Sequence, residues 1–123
     1  MSKAPAIDFV EAGEGATVLF IPGSYSTPAA WTPIQKRLPA KYRMVSTSLC
    51  GYGATDEVRT REQTSIECEV DIVAAVARRA GGGPVHLVGH SFGGTVALAA
   101  ALYRRLTVAS LSLFEANPLA LVR

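Results

Sequence analysis

Six residues, Gly89-His90-Ser91-Phe92-Gly93-Gly94, join two apolar segments of different character, and nothing else in the chain restricts its fold as much. Before them, Pro84 leads into Val85-His86-Leu87-Val88, a short β-rich run of the kind found in a buried strand. After them, Thr95 to Leu106 is apolar nearly all round, which predicts a helix lying in the middle of a fold. A strand that passes into a helix over so few residues needs a tight turn. Glycines two positions either side of Ser91 give that turn room against neighbouring backbone, and Gly94 lets the new helix approach the sheet. The serine oxygen is then exposed at the crest of the turn. Ser91 is therefore the candidate nucleophile, with Gly89, His90 and Gly93 as its turn. The flanking strand and helix separate this reading from a chance G-x-S-x-G in a glycine-rich chain.

The remaining segments alternate in the same way. Ala6 to Ala12 suits an opening strand, and Gly13-Glu14-Gly15 turns the chain into Thr17-Val18-Leu19-Phe20-Ile21, a buried strand stopped by Pro22-Gly23. Thr27-Pro28 offers a hydroxyl cap and a first-turn proline to a helix carrying Trp31, Ile34 and Leu38, which Pro33 and Pro39 keep short. Arg43 to Leu49 predicts a strand ending in the turn Cys50-Gly51-Tyr52-Gly53. Ser65 to Arg79 predicts a helix with Glu67, Glu69 and Asp71 early, Arg78 and Arg79 late, and an apolar stripe of Ile66, Val70, Val73 and Ala77. Gly81-Gly82-Gly83 ends it. Val108 to Phe114 predicts a last strand with Glu115 at its carboxyl end.

Alternating strands and helices, with hydrophobic residues at 49% and charged residues at 18%, define an α/β globular chain. With 123 residues and no repeat or linker, positions 1–123 read as one domain. The net charge of +2 is spread over pairs such as Arg104-Arg105, so no nucleic-acid partner is expected. No segment reaches the ~18 apolar residues a membrane span requires. Cys50 and Cys68 suggest neither a disulfide framework nor a metal site, so the expectation is a cytoplasmic protein with no metal and no cofactor.

From Thr17 to Pro118 the order of segments resembles the N-terminal part of the α/β-hydrolase superfamily, of the esterase, haloperoxidase and carbon-carbon hydrolase type. The resemblance implies the N-terminal half of a three-layer sandwich, a mostly parallel sheet with flanking helices. It also implies an oxyanion hole of two backbone donors, at Ser24 after the Pro22-Gly23 strand end and at Phe92 beside the nucleophile, each worth about 3 kcal/mol in the transition state. The usual His-Gly of that loop is Pro22-Gly23 here, which keeps the backbone donor and removes a side-chain hydrogen bond. Gly51-Tyr52-Gly53-Ala54-Thr55-Asp56 resembles the family's G-x-G-x-S-D loop, with Thr55 in the serine place, Cys50 where arginine is frequent, and a structural job. Relatives that hydrolyse epoxides or haloalkanes place aspartate at the nucleophile turn, so serine implies a small ester or related carbonyl substrate.

A serine nucleophile needs a base, which in this family is a histidine held by an acid, in the order Ser, Asp or Glu, His. No histidine follows Ser91. His86 lies in the strand, and His90 is expected to point beneath the turn. Glu115 matches a position where some relatives carry an auxiliary acid, and it also suits a surface carboxylate. The chain thus reads as an incomplete hydrolase domain whose last strand leaves an open edge suited to self-association. The alternative is a non-catalytic module that binds a ligand or partner at the same strand ends. A nucleotide-binding reading of Gly89 to Thr95 fails for want of the phosphate-binding lysine.

Overall fold

The computed structural model describes residues 6–23, 26–39, 41–53, 55–56 and 66–115. Its strands are β1 (Val10–Ala12), β2 (Ala16–Ile21), β3 (Tyr42–Ser46), β4 (Val85–His90) and β5 (Val108–Phe114). They form one sheet in the order β1-β3-β2-β4-β5, parallel throughout except for β1, which runs antiparallel to β3. Three helices accompany them: α1 (Thr32–Gln35), α2 (Ile66–Arg79) and α3 (Phe92–Leu102).

Strand alternation divides the sheet between two cores. Leu19, Ile21, Val45, Val85 and Leu87 face α2 and α3, where Val70, Val73, Val76, Val96 and Ala100 close the larger core. Val18 and Phe20 face the other way and pack with Trp31, supported by Met44 and Val88. The Phe20 and Trp31 rings lie 5.2 Å apart at an interplanar angle of 48°. A sheet between two helical layers is the arrangement that buries both faces of parallel strands. Mostly parallel, with helices on both sides, it agrees with the fold expected from the sequence.

Element boundaries shift for local reasons. The opening strand shrinks to three residues because only Val10–Ala12 pair with β3. The helix after Thr27 begins as a 3₁₀ turn, Pro28–Trp31, before its single α turn, and Thr27 provides no side-chain cap. α2 ends at the glycine run as expected: Gly81 N–H bonds Arg78 C=O and Gly82 N–H bonds Ala77 C=O, with both glycines at positive φ. Glu69, read from the sequence only as one of the early acidic residues of α2, has a further role. It is 2% exposed and accepts the Cys50 N–H at 2.9 Å, so it stitches α2 to the turn after β3.

That turn has the structural job assigned to it. Thr55 Oγ1 donates to Ser48 C=O at 3.1 Å and receives the Asp8 N–H at 3.0 Å. Asp56 exchanges backbone and side-chain bonds with Ala6. Gly53, at φ 55°, has Asp8 and Ser48 side-chain oxygens where a Cβ would sit.

Candidate active site

β4 delivers the chain to Ser91 and α3 carries it away. Between them Ser91 adopts φ 55° and ψ −124°, a conformation sparsely populated by residues with a Cβ. Its backbone is fixed on both sides: the N–H donates to Phe114 C=O at 2.8 Å, and the C=O accepts Gly94 N–H at 2.9 Å and Thr95 N–H at 3.2 Å. Its side chain makes no capping bond to α3.

Glycine is required on both sides by contact. A Cβ on Gly89 would come within 2.6 Å of Gly94 Cα, and one on Gly93 would collide with the Pro22 and Ile21 carbonyls. The strand end at Pro22-Gly23 therefore lies directly on the turn. A Cβ on Gly23 would stand 3.3 Å from Ser91 Cβ and 3.4 Å from His90 Nδ1. The sheet order explains this meeting, because β2 and β4 are neighbours whose onward connections leave for opposite sides, and crevices open at such switch points.

A cleft of about 610 Å³ opens there. Ala30, Trp31, Ile34, Leu113 and Phe114 supply its apolar surface, and His90 and Glu115 its ionisable groups. Trp31 and Ile34 were legible only as a helix stripe. The structure buries Trp31 and leaves Ile34 45% exposed, facing the cleft.

His90 corrects one expectation. Its side chain is 48% exposed at the cleft instead of lying beneath the turn, with Nε2 3.6 Å from Glu115 Oε2. Glu115, at φ 53° and 85% side-chain exposure, thus reaches His90 from the end of β5. His86 is occupied elsewhere, its Nδ1 2.6 Å from Ser110 Oγ on β5. Phe92 occupies the first position of α3, where a backbone N–H has no intrahelical acceptor. Ser24, the other expected donor, lies outside the described residues. Among the described residues no three His, Cys, Asp or Glu side chains are grouped to hold a metal ion. No described helix is long and apolar enough to cross a membrane.

A mostly parallel sheet whose strand β4 ends in a strained serine turn defines a hydrolase-type α/β protein. The chain belongs to the alpha/beta hydrolase family, whose model matches residues 18–122. It is 29% identical over 101 residues to Protein PHYLLO, chloroplastic, of Arabidopsis thaliana, covering 77% of this chain and 6% of that protein. A thermophilic esterase from Thermogutta terrifontis superposes with TM-score 0.82 at 26% identity, over 92% of this chain and 41% of the esterase. The epoxide hydrolase VrEH1 of Vigna radiata superposes with TM-score 0.77 at 27% identity, over 89% of this chain and 36% of that enzyme. The chain therefore spans well under half the length of these relatives.

Proposed function

We propose that Ser91 is the nucleophile of a serine hydrolase acting on a small ester or related carbonyl compound in the cytoplasm. The observation that carries this reading is the strained Ser91 backbone between β4 and α3, held by Phe114, Gly94 and Thr95. In the proposed reaction Ser91 Oγ attacks the substrate carbonyl, and the resulting oxyanion takes hydrogen bonds from the backbone N–H groups of Phe92 and Ser24. Collapse expels the alcohol, and water then releases the acid from the acyl-serine. A hydroxyl of ordinary pKa needs a base for this step. Since no histidine follows Ser91, we assign the base and its principal acid to residues outside these 123, with Glu115 as auxiliary support for that histidine.

Fluorophosphonate labelling tests the reading. In the protein isolated from its source cells, the probe is expected to add to Ser91, and the intact mass is expected to be roughly twice that of this chain, near the upper range of one domain. An unlabelled Ser91 in a protein of 123 residues, together with saturable ligand binding, would favour the non-catalytic module instead. The absence of a histidine after Ser91 is what keeps that second reading in play. By itself, the 123-residue chain is expected to hydrolyse esters at most about a thousandfold faster than water, the residue of activity left to triad enzymes without their triad. Brisk turnover abolished by Ser91→Ala would place the base within these residues and overturn the assignment.

A further inference from the structure

Three arginines from two separate parts of the chain line one cavity at the opposite end of the sheet. Arg78 comes from the last turn of α2, and Arg104 and Arg105 from the connection between α3 and β5. Ala74, Ala77 and Leu106 form the apolar part of its wall, and its volume is about 510 Å³. Beside it the strands begin, with Val85 N–H donating to Thr107 C=O at 3.0 Å. Ser91 follows the far end of β4, roughly 20 Å away along a six-residue strand, so this cavity is distinct from the cleft.

Arginines near helix C-termini commonly offset the exposed carbonyls there. That role is already filled. Gly81 and Gly82 cap α2, while Tyr103 N–H and Arg104 N–H donate to the Ala99 and Ala101 carbonyls of α3. Among the described residues, the guanidinium groups of Arg78 and Arg104 have neither a hydrogen bond nor an ion pair. Arg105 is oriented by Asp71, and no described carboxylate lines the cavity itself. Arg104 stands at φ 55°, where glycine would serve the turn better, so the position carries a guanidinium at a conformational cost.

We propose that this cavity binds a small molecule carrying a phosphate or polyphosphate group. The planar guanidinium fork matches phosphate oxygens in pairs, and the forks of Arg78 and Arg104, with Arg105 held beside them by Asp71, suit a group bearing more than one negative charge. The less polar part of the ligand lies over Leu106, which is half-buried, whereas Ala74 and Ala77 behind it are buried. This site is independent of the reaction proposed for Ser91.

Pyrophosphate is the probe, titrated calorimetrically into the 123-residue chain at low ionic strength. One saturable site per chain is expected, weakened about tenfold or more by Arg78→Gln and by Arg104→Gly. Arg104→Gly removes the guanidinium while suiting the backbone, so its circular dichroism is expected to stay native. Arg37→Gln, just beyond α1, is expected to bind like the wild type. No saturation below about 10 mM, a Kd too weak for a built site, would overturn the proposal. Undiminished binding by folded Arg104→Gly would do the same.

Discussion

Ser91 occupies a backbone conformation that suits glycine, and the difference is measurable as stability. Conformations of this kind cost on the order of 1–3 kcal/mol, so Ser91→Gly is expected to raise the unfolding free energy by about 1 kcal/mol in urea titration. The same variant is expected to lose all fluorophosphonate labelling. Gly93 tests the other side of the turn. Its substitution by alanine drives a methyl group into the Pro22 and Ile21 carbonyls, and overpacking of this sort costs about 2–3 kcal/mol. A lower urea midpoint at unchanged slope would register that loss. These residues were legible in the sequence because the turn is local: glycine spacing and a strand-to-helix switch are enough to mark it. His90 was not, because the direction of its ring depends on Gly23 and Glu115, which come from other strands.

Elements were legible to the extent that their own periodicity decides them. β5 and α2 fall where the apolar pattern puts them: α2 buries one face along its length, whereas β5 is only partly covered, at Val108 and Leu111. β1 shrank because pairing with β3, and not the composition of Ala6 to Ala12, sets its length. Its main side-chain tie to β3 is the Arg43–Glu11 pair at 2.8 Å, and Arg43 also reaches Ala80 C=O at the end of α2. The hydrogen bond from Arg43 holds the Glu11 carboxyl below the usual carboxylate range and raises Arg43 further. A depressed carboxylate stabilises the fold above its unfolded pKa, and the contribution is lost as pH falls through the folded value. Acid titration of stability should therefore show a small loss below the ordinary glutamate range, and Glu11→Gln should remove that part of the slope. An unchanged slope would dismiss the pair as a stabilising contact.

At the scale of the molecule, the helical cover is uneven. Among the described residues, α2 and α3 close one face of the sheet, whereas the opposite face carries only the short segment around Trp31. Among the described strands β5 pairs on one side only, and Leu113 and Phe114 are 37% and 50% exposed at its end. An apolar strand edge of this kind favours association, so the 123-residue chain is expected to sediment faster as its concentration rises, and Leu113→Lys should suppress that rise. A monomer over a wide concentration range would contradict it. The strand was legible in its own pattern, whereas the expectation of an open edge there came from the family resemblance, because cover is a relation between segments distant in the chain.

The pairing of β2 with β4 sets a clock as well as a shape. Residues 17–21 leave the ribosome early and cannot find their partner until residues 85–89 have followed, a wait on the order of several seconds at ordinary rates of synthesis. Until that pair closes, nothing presses Pro22-Gly23 against the serine turn, and Ser91 is free to relax into an ordinary conformation. On the reading proposed for Ser91, the nascent chain would carry its nucleophile unarmed, and the residue would become reactive only when the middle of the sheet locks.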